Sequence, residues 1–297
     1  MSYEQAYKWG AEELRQARIA EAELDARLLL EHVCGTDRNT LLAHGEREVT
    51  AKEEENYAAL ISERKRHIPL QHLTGVQEFM GLKFYVNQNV LIPRQDTEIL
   101  VEEVMRHLHD GMRLLDMCTG SGCILLSLLY YSNDCTGLGV DISKEALKTA
   151  ERNAERIDAE KTEKGQKALH AAFLQSDLFD GINREPFDII VSNPPYIRRD
   201  AIDTLMPEVK DHEPLTALDG KEDGLCFYHR ILERAGDYLT RGGMLFFEIG
   251  YDQGQAVRKL MSAAGFAGVE VVRDFAGLDR VVYGSWNPAS GAAGRME

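Results

Sequence analysis

The amino-acid sequence predicts an α/β protein: a doubly wound, mostly parallel sheet with an antiparallel edge strand, preceded by a small helical domain. Three observations predict it. Up to about residue 75, apolar side chains recur at three- and four-residue steps, the period of helices that bury one face. From residue 113 onward short apolar runs alternate with helical patterns, and a β-α-β-α order calls for parallel strands covered on both faces. The last two strand-like runs, "VEVVRDF" and "RVVYGSW", stand too close together for a crossover helix and must pair antiparallel at one edge.

Each element has its own signal. "AYKWGAEELRQARI", "AELDARLLLEHVCG" and "AKEEENYAALISERKRH" are the helices of the first domain, with Gly35 as a stop and Thr50 as an N-cap ahead of acids that suit the helix dipole. The period then shortens: "EFMGLKFYVNQNVLIPR" alternates in short runs broken by "NQN", as a β-hairpin would. "DTEILVEEVMRHL" restores helical spacing, capped by Asp96 or Thr97. The sheet follows as "RLLDMC", "TGLGVDI", "ALHAAFLQSD", "FDIIVSN" and "GGMLFFEIG", with helices through "CILLSLLYY", "SKEALKTAERNAERI", "LCFYHRILERAGDYL" and "GQAVRKLMSAAG". The expected boundaries are therefore 1–77 for the helical domain, 78–93 for a hairpin linker, 94–287 for the α/β domain and 288–297 for a tail without core-forming pattern.

Composition excludes several classes. The 297 residues carry a net charge of −15, which disfavours a partner made of long, bare nucleic acid, although "ERKRH" and "RRD" are local basic patches. No stretch reaches the apolar length of a membrane span, and the N-terminus lacks a secretory pattern. Five cysteines, odd in number and without a CxxC pair, suit reduced thiols in a cytoplasmic protein better than disulfides or a zinc site. No metal site is expected.

"LLDMCTGSGCILL" places a glycine-rich turn between the first strand and first helix of the sheet. Gly120 and Gly122 let a ligand approach the backbone, with Cys118, Thr119 and Ser121 completing the loop, and the helix start offers N–H groups. Asp141, about 20 residues on at the tip of the second strand, stands where a ribose hydroxyl acceptor is expected. The spacing is not the dinucleotide G-x-G-x-x-G, since residue 125 is Leu. A carboxylate at Asp116 would repel a pyrophosphate but suits a cationic amino-acid headgroup or sulfonium, which points to S-adenosylmethionine. Asp177, after the third strand, either accepts from an adenine amino group beside Leu178 or caps a turn before Phe179; the residues alone leave both open.

"SNPPYI" ends the fourth strand, beside the switch point where open α/β sheets bind ligands. The nitrogen of a primary amide or an adenine amino group is a poor nucleophile because its lone pair is delocalised. Two acceptors aimed at its N–H bonds, Asn193 Oδ1 and the Pro194 carbonyl, would hold the group and favour positive charge developing on nitrogen. Pro194 and Pro195 restrain the residues before them, so the acceptors are preset. Tyr196 either offers a ring face to a planar acceptor or packs as a core or rim aromatic; the residues alone leave both open.

"PLQHLTG", "FMGLKF", "LIPRQDTEILVE", "LLDMCTGSG", "GVDIS", "SDLF", "FDIIVSNPPYI", "EPLTALDGKEDGL" and "EIGYDQG" together resemble the HemK/PrmC family of release factor glutamine N5-methyltransferases over nearly the whole chain. The resemblance implies a Rossmann-like, S-adenosylmethionine-dependent methyltransferase fold. It implies as substrate the glutamine of the GGQ motif in class-1 peptide chain release factors, contacted by the N-terminal helical domain. Residues Cys118 to Gly122 would cradle the methionine part of the cofactor, Asp141 the ribose and Leu178 the adenine. Asn193, Pro194, Pro195 and Tyr196 would hold the glutamine amide. The chain departs from many relatives at Cys118, where they have Gly, at Gln95, where they have Pro, and near Leu178, where they have Trp. Cys at the loop's opening is costly if that position takes a positive φ.

Three other readings share parts of this pattern. An adenine-N6 methyltransferase uses the same acceptor chemistry but needs a flipped or single-stranded base, and the acidic balance and lack of a DNA-reading module count against it. Intact Asn193 with acids in register counts against a binding protein without turnover, and Leu125 against a dehydrogenase. The polar segment "RRDAIDTLMPEVKDHEPLTALDGKED" reads either as a loop over the substrate mouth or as a plain surface connection.

Overall fold

A computed structural model describes residues 1–287; the expected tail at 288–297 lies outside the described residues. The chain divides into two compact units: Met1–Val76 with Leu205–His212, and Gln77–Thr204 with the chain from Glu213 onward.

The first unit holds α1 (Tyr3–Gln16), α2 (Ala22–Cys34), α3 (Arg38–Ala43), α4 (Ala51–Arg64) and α5 (Leu70–Thr74). Capping boxes open α1, between Ser2 and Gln5, and α4, between Thr50 and Glu53, each satisfying two backbone N–H groups that a helix start leaves unpaired. Gly35, at φ 57°, ends α2. Tyr3, Leu14, Leu29, Leu30, Tyr57 and Ile61 form the core. The basic run at 63–67 is paired internally: Arg64 Nε donates to Asp25 at 2.8 Å and its Nη2 to Glu208 at 3.1 Å, while Lys65 meets Glu13 and Arg66 meets Glu63.

The second unit begins with a hairpin, β1 (Val76–Phe79) and β2 (Leu82–Tyr85). Its turn is Met80-Gly81, both at positive φ (51° and 69°), rather than the "NQN" run, which follows β2. A two-residue turn of that handedness matches the strand twist, which a polar run without such φ values does not. There follow α6 (Gln95–His107), β3 (Arg113–Met117), α7 (Cys123–Tyr131), β4 (Thr136–Asp141), α8 (Lys144–Glu163), β5 (His170–Gln175) and β6 (Phe187–Ser192). The segment after β6 is neither a plain loop nor a plain connection. It folds into a 3-10 helix at Arg199–Thr204, then α9 (Pro207–Lys210), which belongs to the first unit, and α10 (Leu215–Leu218) in the second. The chain ends with α11 (Cys226–Ala235), β7 (Leu239–Glu248), α12 (Gly254–Ala263), β8 (Phe266–Arg273) and β9 (Asp279–Trp286). The cap of α6 is Arg94, without a side-chain bond; Asp96 and Thr97 lie inside its first turn, and Thr97 faces the interior instead.

The seven-stranded sheet has the order β5-β4-β3-β6-β7-β9-β8. β3 to β7 run parallel, and β9 is antiparallel to both β7 and β8, as the short final connection requires. Side chains alternate between two cores. Leu115, Ile190, Leu245 and Phe247 pack with α11 and α12, whereas Leu114, Ile189, Val191 and Phe246 pack with α6 and α7. The chain order reverses direction at β3, so the carboxyl ends of β3 and β6 flank the switch point. Among the described residues no helix is long and apolar enough to cross a membrane, the five cysteines are free, and no cluster of metal-ligating side chains occurs.

Thr50→Ala removes the side-chain half of the α4 capping box and is expected to cost about 1 kcal/mol, with Thr50→Ser close to wild type. The urea midpoint followed by helical circular dichroism checks it.

Candidate active site

The loop after β3 is built from left-handed backbone. Cys118 sits at φ 61°, Gly120 at 56° and Gly122 at 79°. The departure at Cys118 is therefore a non-glycine residue in a conformation that Cβ disfavours. The amide of Gly120 donates to Asp141 Oδ2 at 2.9 Å, so the acid at the tip of β4 holds the loop, and Asp141 Oδ1 accepts from Ser143 N at 2.8 Å. Burial raises the Asp141 pKa against the backbone amides of Ser143, Gly120 and Ile142, which lower it.

A cavity of about 290 Å³ opens here, lined by Cys118, Thr119, Gly120, Ser121, Asp141, Asp177, Leu178, Asn193 and Pro195 among the residues expected from the sequence. Four expected residues are not on its wall: Asp116, Gly122, Pro194 and Tyr196. Asp116 is fully buried behind the loop, where Oδ2 accepts from the Thr119 hydroxyl at 2.6 Å and Oδ1 has no partner. Strand alternation turns it to the α7 face, with Leu114, so it braces the loop instead of facing a ligand. Burial pushes its pKa up to about 7. Gly122 is the N-cap of α7. The Tyr196 ring packs against the core beneath the site, its hydroxyl donating to Glu248 Oε1 at 3.2 Å, because β7 brings that carboxyl under the turn. Asp177 lines the cavity but is paired with Arg230 at 2.9 Å.

The turn after β6 is pinned from several sides. Ser192 Oγ donates to the Met117 carbonyl at 2.9 Å, tying the two strand ends together. Gln253 Nε2 donates to the Tyr196 carbonyl at 3.0 Å, and Ile197 pairs with Asp219 in a parallel bridge. Gly224, at φ 74°, lies so close that a Cβ would stand 2.4 Å from the Tyr196 carbonyl oxygen. Asn193 Nδ2 donates to Thr97 Oγ1 at 3.4 Å, and its Oδ1 accepts no hydrogen bond among the described residues.

Sequence reasoning missed several of the residues that shape this cavity. Arg94 lines it, with Nη2 held 2.7 Å from both oxygens of buried Glu213, and Thr97, Lys221, Phe227 and Arg230 complete the wall. Glu248 and Gln253 stand behind the turn. Their segments, "IPRQDTE", "EPLTAL" and "EIGYDQG", were visible, but no local pattern shows which side chain a distant strand will meet.

Residues 5–75 match the PrmC N-terminal domain and residues 94–208 the methyltransferase small domain. The release factor glutamine methyltransferase of Caulobacter vibrioides is 39% identical over 290 residues, 97% of this chain and 98% of that protein. That of Clostridium acetobutylicum is 41% identical over 263 residues, covering 87% and 89%. The chain belongs to the release factor glutamine methyltransferase family. A methyltransferase from Pyrococcus furiosus, 16% identical, superposes with a TM-score of 0.51 over 78% of this chain and 99% of that one, which shows the shared fold.

Two expectations follow for this family member. Gly224→Ala would push the Asn193–Tyr196 turn off its seat and strain a positive φ, lowering stability by roughly 2 kcal/mol or more in thermal unfolding. For Asp116, the native state keeps its proton between about pH 4 and pH 7 while the unfolded chain releases it, so stability falls as pH rises through that window. Asp116→Asn cannot titrate. Its stability relative to wild type should improve by roughly 2–4 kcal/mol from pH 4 to pH 8 in denaturant titrations, and a flat difference would refute the buried proton.

Proposed function

We propose that the chain transfers a methyl group from S-adenosylmethionine to the side-chain amide nitrogen, N5, of the glutamine in the GGQ motif of class-1 peptide chain release factors. The observation that carries this reading is Asn193. Thr97 holds its Nδ2, its Oδ1 accepts no hydrogen bond among the described residues, and the residue lines the cavity that also contains the glycine loop and Asp141.

The residues present fit the cofactor. A Cβ on Gly120 would meet no atom within 4 Å, so the backbone there admits a ligand closely. A carboxylate has about four acceptor positions, so Asp141 can take ribose hydroxyls beyond its two backbone partners. Leu178, Ile142 and Pro195 give apolar surface for the adenine. Arg94, oriented by Glu213, would bind the amino-acid carboxylate as a forked donor. Asp177 reaches an adenine amino group only by sharing its carboxylate with Arg230. When bound, the cofactor supplies an electrophilic methyl carbon on a sulfonium.

The protein's part is to hold the acceptor. Asn193 Oδ1 and the Pro194 carbonyl take the two N–H bonds of the glutamine amide, leaving its lone pair directed away from them. Both acceptors gain strength as positive charge develops on nitrogen, so they favour the transition state over the ground state. Pro194 and Pro195 preset the turn, which lowers the ordering cost of binding. No positioned base is required, because the proton can leave after the nitrogen has become cationic. Tyr196 serves as an anchor through Glu248.

Asn193→Ala should bind S-adenosylmethionine within about twofold of wild type by calorimetry yet lose methyl transfer by roughly 100-fold or more. The substrate is tested by incubating a release factor with enzyme and cofactor and mapping the modified peptide by mass. One methyl on the GGQ glutamine is expected; label on adenine of an oligonucleotide, with none on the release factor, would overturn the reading.

A further inference from the structure

Asn193 can serve as an acceptor only if its amide is turned one way. Flipped, it would aim an NH2 group at the NH2 of glutamine, donor against donor. A single amide in a loop has no intrinsic preference between the two orientations; its neighbours must set it. The neighbour here is Thr97, on the first turn of α6 and 2% exposed, whose Oγ1 lies 3.4 Å from Asn193 Nδ2. A hydroxyl has one proton and two lone pairs, so its preference depends on where the proton goes. Beside Thr97 stands Glu248, 2% exposed at the end of β7, and the Thr97 hydroxyl is among the groups that lower the pKa of its carboxyl. That carboxyl accepts from Tyr196 on Oε1 at 3.2 Å, and its buried Oε2 has no hydrogen-bond partner. Ionised, Oε2 can only accept, so the Thr97 proton turns toward it. With the Thr97 proton committed to Glu248, only lone pairs face Asn193.

We propose that Thr97 and Glu248 are positioning residues for methyl transfer: the Thr97 hydroxyl, oriented by the buried carboxyl, accepts from Asn193 Nδ2 and leaves Oδ1 as the atom that faces the acceptor amide. Glu248 thereby anchors both ends of the Asn193–Tyr196 turn, the first through Thr97 and the last directly. The strand register explains how it can. Ser192 pairs with Phe247, so the next residues along, Asn193 just past β6 and Glu248 at the end of β7, stand side by side at the sheet's rim. The catalytic meaning of this orientation rests on the methyl-transfer reading above, whereas the orientation itself is a property of the protein alone.

The test uses the full-length protein, labelled with 15N-asparagine, as wild type, Thr97→Val and Thr97→Ser. Valine keeps the shape and removes the hydroxyl; serine keeps the hydroxyl. Without cofactor, hydrogen exchange of the Asn193 side-chain amide should be several-fold faster in Thr97→Val than in wild type, with Thr97→Ser near wild type. In turnover with release factor, Thr97→Val should lower kcat roughly tenfold to hundredfold, with cofactor Kd within about twofold and Thr97→Ser restoring most of the rate. Unchanged amide exchange in Thr97→Val overturns the proposal even if wild-type turnover is normal, as does an equal loss of cofactor binding and kcat, which would mark a merely structural residue. Altered exchange and serine rescue, in a wild type that methylates no release factor, would uphold the orientation of Asn193 and refute the substrate assignment instead.

Discussion

The site depends on one pairing: β3 lies beside β6 in parallel, with Met117 opposite Ser192. That register sets the glycine loop and the Asn-Pro-Pro-Tyr turn at the same height on the sheet's rim, although 75 residues separate the ends that Ser192 Oγ bridges. A slip by one residue would turn every side chain of β6 to the opposite face and carry Asn193 off the cavity wall. The register is held by burial on both faces, since Ile189 and Val191 fill one core and Ile190 the other. The hydrophobic alternation of a single strand thus determines where a polar amide emerges.

The polar groups behind the rim show how such a site is kept rigid. Asp116 and Glu248 are both fully buried and each has an oxygen without a partner, an arrangement that costs stability unless something is gained. Each carboxyl braces one half of the rim: Asp116 holds Thr119 of the glycine loop, and Glu248 holds Tyr196 of the turn. Their pKa values rise to about 7 chiefly through burial, which relieves part of the penalty by retaining a proton. Gln253 and the bridge from Ile197 to Asp219 fix the backbone on the other side. On the proposed mechanism, stability is given up locally so that two acceptors stand in place before the substrate arrives, which is where electrostatic catalysis gains its advantage.

Much of this was legible in the chain. Gly35 and Thr50 announced helix ends, the alternating runs announced the strands, and the short final connection announced the antiparallel edge, because each signal arises within a few residues. The motif positions Asp141 and Asn193 were equally visible, since strand tips can be counted from the patterns that precede them. The expected hairpin turn falls elsewhere because "NQN" has turn composition, while Met80, the first of the two residues at positive φ, has none. Asp116 was expected to face a ligand because its position at the end of a strand is readable and its face is not. For Tyr196 the chain left a ring face for the acceptor and a core aromatic open, and the structure takes the second, because an aromatic beside a buried carboxyl satisfies both its ring and its hydroxyl by turning inward.

By itself, then, the sequence determined the order of elements, the two-sided sheet, the loop that takes positive φ and the polar amide at the fourth strand's tip, all of which follow from residues that are neighbours in the chain. Tertiary structure alone decided that Arg94 is aimed by Glu213, that Asp177 is paired with Arg230, and that Thr97 and Glu248 stand behind Asn193. A buried polar atom takes its partner from whatever strand or helix packs against it. That choice is made by sheet order and register, which no local pattern encodes.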